Sequence, residues 1–165
     1  MADKIGWEGR FFEDFEVGDT YRHPLGRSIT EADNIWFTLL TQNTNPSHFD
    51  NEYAKNTPYK QALVNSCFTL SLVMGQSVTD LSQNAVANLG WTDITLPAPV
   101  FVGDTIYSRS EVLGARASRT RPEVGIVDVR TEGYNQRGET VITYKRSIMV
   151  YKRAARPASP RDAQA

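Results

Sequence analysis

The segment Gln42-Asn43-Thr44-Asn45-Pro46-Ser47-His48-Phe49-Asp50 concentrates polar groups between two apolar stretches. An imidazole titrates near neutral pH, so His48 is a candidate general base or acid. A histidine that merely caps the next helix is the alternative. The other histidine, His23, stands beside Pro24 in a strand-like stretch and reads as structural. A second candidate is Leu63-Val64-Asn65-Ser66, where an apolar helix begins. Unpaired N–H groups at a helix start carry partial positive charge and suit a developing oxyanion. Every helix has such an end, so this signal is weak by itself. The third is Arg116-Ala117-Ser118-Arg119-Thr120-Arg121-Pro122, a basic cluster that suits phosphates or a carboxylate. A solvated hairpin tip is its other reading.

Other chemistries are excluded by what is missing. Two histidines and one cysteine give no zinc-site spacing. The chain has no G-x-x-x-x-G-K-[ST] loop, no G-x-G-x-x-G turn and no G-x-S-x-G elbow. A formal charge of −1 lacks the basic excess of a nucleic-acid binder. Cys67 has no partner for a disulfide and reads as a small buried hydrophobe. There is no apolar leader at the N-terminus and no run long enough to span a membrane. Pro46 blocks glycosylation at Asn45. A soluble cytoplasmic protein is expected.

The elements that must position these groups follow from periodicity. With 165 residues, 40% hydrophobic and 22% charged, the chain is one globular domain. Residues 1–9 read as a flexible lead-in, 10–152 as the domain and 153–165 as a disordered tail. Thr30-Glu31-Ala32-Asp33 is a capping box, and Ile35, Trp36, Leu39 and Leu40 recur at helical spacing. The pattern predicts a helix from about Glu31 to Leu40, broken before Pro46. Residues 61–79 form the longest apolar helix candidate, buried because it is apolar around so much of its circumference. Residues 84–96 are of mixed character. From Thr105 onward the period falls to two. Val127, Val129 and Thr131 alternate with Asp128, Arg130 and Glu132. Asn135-Gln136-Arg137-Gly138 is a hairpin turn, and Ile142, Tyr144, Ile148 and Val150 share one face. Arg146 falls in that same register, which is odd for a core face. The sum is an α+β chain whose antiparallel sheet of four or five strands curls around the 61–79 helix. Its open edges predict self-association.

Two motifs then carry a resemblance. Gln42-Asn43-Thr44-Asn45-Pro46-Ser47-His48 is similar to the Gly-Asp-x-Asn-Pro-x-His signature of the MaoC-like dehydratases, which include the (R)-specific enoyl-CoA hydratases. Pro99-Val100-Phe101-Val102-Gly103-Asp104-Thr105 resembles that family's Pro-Val-Phe-x-Gly-Asp-Thr turn. Residues 37–46, Asn88-Leu89-Gly90-Trp91 and Ser118–Pro122 look most like the branch acting on mesaconyl-CoA and itaconyl-CoA. The resemblance covers about Arg10 to Lys152.

It implies a hot-dog fold dimerising edge to edge, and reversible addition of water to the C2=C3 bond of a short enoyl-CoA, with branched and dicarboxylic acyl groups in range. It implies no cofactor, since CoA is part of the substrate, and no metal. Under it His48 is the general base or acid, Asn43 orients the water and the Ser66 N–H polarises the thioester carbonyl. Gln42, Asn45, Phe49, Asn65, Trp91, Arg119 and Arg121 would contact substrate or CoA. The sequence departs from the signature where Asn43 replaces its Asp, Gln42 its Gly, and Asn65-Ser66 the usual His-Gly. An amide cannot take a proton. His48 would then work alone or with Asp50, Asp33 or Glu31. A non-catalytic acyl-CoA binder and a hot-dog thioesterase are the alternatives.

Overall fold

A computed structural model describes residues 6–158. The flexible ends expected at 1–5 and 159–165 lie outside the described residues. The adjoining described residues make several contacts with the domain. Arg153–Ala155 makes a 3-10 turn, Arg153 pairs with Asp14 at 2.5 Å, and Arg156 pairs with Glu8 at 2.7 Å. The Trp7 indole donates to the Thr79 carbonyl.

Among the described residues, six antiparallel strands make one sheet. They are β1 (Thr20–Arg22), β2 (Arg27–Ser28), β3 (Ala85–Thr95), β4 (Thr105–Ala117), β5 (Val124–Asn135) and β6 (Thr140–Tyr151). The order is β1-β4-β5-β6-β3, with β2 also on β4. The count exceeds the expected four or five because β1 and β2 are too short to show a period. β3 also escapes alternation, and the mixed reading of 84–96 has the same cause. It is an edge strand, mostly exposed, with three register shifts against β6. The hairpin turn at 135–138 falls where expected, with Gly138 at φ +78°.

Three α-helices among the described residues sit with the sheet. They are α1 (Glu31–Leu40), α2 (Asn51–Ala54) and α3 (Ser66–Gln76). α1 starts on its capping box: Thr30 Oγ1 accepts from Asp33 N–H, and Asp33 accepts from Thr30 N–H. Such a cap contributes about 1 kcal/mol. α3 is shorter than the expected 61–79. Val64 N–H is drawn off to the Val100 carbonyl, and Leu63 bridges Phe101, so helix begins only after Asn65. A π turn over Val78–Ser82 ends it.

α3 is also less buried than its composition predicts. Only Thr69 and Val73 are fully buried in it, while Cys67, Ser71 and Gly75 face out. Cys67 is therefore exposed, not a buried hydrophobe, because the helix approaches the sheet along Thr69 and Val73. Gly133 sets that approach: a Cβ there would lie 2.6 Å from Val73.

The core under the sheet divides in two. One cluster gathers Val64, Val73, Val100, Ile106 and Ile142. The other gathers Leu81, Val112, Val127, Val129 and Ile148. Between them runs a polar belt of His23, Ser110, Thr131 and Arg146, all buried. Arg146 points inward as its register demands, and donates to Ser77 Oγ at 3.0 Å.

Candidate active site

The loop after α1 is built by its asparagines. Gln42 turns the chain at φ +57°, the conformation in which a glycine costs least. Asn43 Oδ1 then accepts from Asn45 N–H, and Asn45 Oδ1 accepts from Ser47 N–H, each at 3.0 Å. This ladder of side-chain turns delivers Pro46–His48 as one 3-10 turn, with Pro46 at its start. Phe49 closes the turn through its N–H to the Pro46 carbonyl.

His48 is half-buried, and its Nδ1 lies 2.9 Å from the Leu63 carbonyl. A carbonyl only accepts, so Nδ1 carries the proton and Nε2 keeps its lone pair. No group among the described residues bonds Nε2.

The helix start is equally specific. Asn65 is buried and caps α3, its Oδ1 accepting from Cys67 N–H at 2.9 Å, while its Nδ2 donates to Thr38 Oγ1. The N–H of Asn65 goes to Asn34 Oδ1. Ser66, at the first helical position, is left with its N–H unpaired among the described residues. His48 and Ser66 line one cleft of about 230 Å³ with Tyr59, Leu63 and Thr69, closed on the other side by residues 96–100. A larger hollow of about 430 Å³ lies on the solvent face of the sheet over the Arg116–Asp128 pair, with no histidine and no helix start.

The remaining expected residues are distributed differently. Gln42, Asn43, Asn45 and Phe49 belong to the loop but not to the cleft wall, and Asn65 lies beneath it. Trp91 is exposed on the β3 edge, in register with Arg146. Arg119 and Arg121 sit on the β4–β5 hairpin, and Arg121 pairs with Glu123 at 2.8 Å. That hairpin is separated from Thr105 by the length of β4, about 40 Å at ~3.3 Å per residue. One chain therefore does not bring these arginines to His48.

The carboxylates considered as helpers are engaged. Asp33 accepts from Arg27 and Thr30, and the Arg27 guanidinium holds its carboxyl well below the usual range. Glu31 accepts from Asn51 Nδ2, and Asp50 caps α2 through Tyr53 N–H. Asp104, of the second motif, is buried. Burial opposes its ionisation, but bonds from Phe101 N–H, Gln136 and Arg137 outweigh that and keep its carboxyl below the ordinary range. It braces the 135–138 turn against the loop that closes the cleft.

Sequence reasoning missed Asn34. It is 1% exposed within α1. Its Nδ2 donates to the His48 carbonyl at 2.7 Å and to the Leu63 carbonyl at 2.9 Å. Its polar character among Ile35, Trp36 and Phe37 was the available signal.

Comparison with known proteins places the chain in a family. A family model described as mesaconyl-CoA hydratase matches residues 4–162. The mesaconyl-CoA hydratase of Cereibacter sphaeroides is 36% identical over 152 residues, 92% of this chain and 44% of that protein. The crystal structure of a MaoC domain protein dehydratase from Chloroflexus aurantiacus aligns with TM-score 0.87 and 34% identity, over 96% of this chain and 45% of that one. A Mycobacterium tuberculosis protein described as a double hotdog fold aligns with TM-score 0.81 at 21% identity, over 94% of this chain and 48% of that one. The chain thus spans about half the length of these relatives, and its fold is the hot dog. With the Asn-Pro-x-His loop, the cleft and the match over nearly every residue in accord, the chain belongs to the mesaconyl-CoA hydratase family of MaoC-like proteins.

Proposed function

We propose that this protein is a hydro-lyase that adds water reversibly to the C2=C3 bond of a short enoyl-CoA thioester, with branched dicarboxylic acyl groups such as mesaconyl as the first candidates. One observation carries the reading: an open imidazole nitrogen on His48 and a free N–H on Ser66 line the same cleft. Hydration needs both. Nε2 takes a proton from water while the water oxygen bonds to C3. The C2=C3 electrons move onto the thioester oxygen, where the Ser66 N–H stabilises the enolate. The imidazolium then returns a proton to C2, and the carbonyl re-forms.

Among the described residues, no carboxylate lines the cleft. His48 therefore works as the sole proton-transfer group, and Asn43 acts through the loop it builds. The absence of a carboxylate favours one second reading, an acyl-CoA binder without turnover.

The reading includes a homodimer and a cytoplasmic setting, in which a lone Cys67 stays reduced. No described helix is long and apolar enough to cross a membrane. Support for the dimer comes from β3, a free sheet edge exposing Leu89, Trp91 and Ile94. Antiparallel pairing of two such edges turns the partner's 116–122 hairpin toward the end of the sheet where this cleft opens. Arg119 and Arg121 would then meet CoA phosphates across the interface.

The test is an absorbance assay near 263–270 nm, about where a conjugated enoyl thioester absorbs, on crotonyl-, mesaconyl- and itaconyl-CoA. Loss of absorbance that His48→Ala slows by ~10²–10⁴-fold supports the reading. Binding without turnover in wild type moves it to the binder, and release of free thiol moves it to a thioesterase.

A further inference from the structure

We propose that Asn34 is a positioning residue that couples His48 to the oxyanion donor, so that the two are aligned by one side chain. The proposal rests on the hydration reading above. An amide offers two donors and one acceptor oxygen, and Asn34 spends all three on the site. Its donors go to the His48 and Leu63 carbonyls, and its Oδ1 accepts from Asn65 N–H. The reverse orientation of the amide would set its oxygen against two carbonyl oxygens, so the partners decide which way it faces.

Each partner matters to the chemistry. The His48 carbonyl anchors the base's own backbone. The Leu63 carbonyl is the acceptor that holds His48 Nδ1–H, and therefore keeps the lone pair on Nε2. The Asn65 peptide immediately precedes the free Ser66 N–H. α1 supplies the rigidity, since Asn34 lies in its first turn, just after the residues of the capping box. An aliphatic side chain here would leave the buried Asn65 N–H without its acceptor, so the position calls for a polar group. An amide there, satisfied at all three points, specifies orientation.

Asn34→Asp is nearly isosteric. It keeps the acceptor for Asn65 N–H and removes both donors as a carboxylate, or one of the two when protonated. The expected result is a kcat lower by about 10–10²-fold with KM changed less than about threefold, because misplacement by an ångström is costly in the transition state only. The matched readout is ¹⁵N NMR of the His48 ring, assigned in a His23→Asn background since the chain has just two histidines. Wild type should show the Nδ1–H tautomer, and Asn34→Asp a mixture. A control variant of similar stability loss, Ser110→Ala, should move neither readout. Asn34→Ser, which keeps one donor, serves if Asn34→Asp does not fold, and should fall between the two. An Asn34 variant with a wild-type tautomer and kcat within about twofold of wild type, at equal folded fraction, would overturn the proposal and leave a purely structural amide. If wild type turns over no enoyl-CoA, the hydration reading fails, and the tautomer measurement still decides whether Asn34 orients His48.

Discussion

The two histidines of this chain do opposite things, and the difference lies in their second nitrogen. His23 is 6% exposed, and both its nitrogens are used. Nδ1–H donates to Asp80 Oδ2 at 2.8 Å, and Nε2 meets Ser110 Oγ at 2.9 Å. Arg10 pairs with the other oxygen of Asp80. His48 has one nitrogen held by a carbonyl and the other open to a cleft. A saturated imidazole is a crosslink, and a half-saturated one is oriented and still reactive. Residue type does not distinguish them; the second contact does.

That contrast predicts a double dissociation. His48→Ala should cost about 10²–10⁴-fold in hydration rate while the unfolding free energy changes little, since only one neutral hydrogen bond is lost. Equal activity in mutant and wild type would end the assignment of His48 as base.

The oxyanion partner can be tested at the backbone itself. Ser66 occupies the first helical position, where proline is well tolerated, and Asn65 at φ −57°, ψ 129° already suits a following proline. Ser66→Pro deletes the N–H and should lower kcat by about 10²–10³-fold, whereas Ser66→Ala should be near neutral. A comparable loss in both would transfer the role to the hydroxyl.

The effect at His23 should be on stability alone. His23→Ala leaves Ser110 without its imidazole and Asp80 with one bond fewer, and should cost about 1–3 kcal/mol in denaturant unfolding with kcat unchanged. A drop in kcat in fully folded protein would contradict it.

The smallest effect is in pH. Burial lowers the His23 pKa below its usual ~6.5, against the opposing pull of Asp80. The folded state therefore binds fewer protons than the unfolded state in this window, so stability is full above pH ~6.5 and falls as pH drops below it. Denaturation at two pH values should show that slope in wild type and a shallower one in His23→Asn.

Much of this was readable along the chain. The capping box marks the start of α1, the Asn-Gln-Arg-Gly turn lies between β5 and β6, and period-two alternation marks the central strands. The loop motif around His48 was equally legible, because its Asx turns are made within six residues. β3 was not, because an edge strand buried on neither face leaves no alternation. The extent of α3 was not either, since its start depends on Val64 N–H pairing with Val100, 36 positions away in sequence.

The sequence by itself therefore determined the α+β class, the 135–138 turn, the α1 cap and the family, all of which rest on contacts between near neighbours or on spacing. Only the tertiary structure decided how the second nitrogen of each histidine is used, that Asn34 joins the His48 loop to the start of α3, and that Arg119 and Arg121 lie far from His48 within one chain. Those outcomes depend on hydrogen bonds across 14 to 87 positions and on the length of a strand. No local pattern encodes a partner that the fold alone brings near.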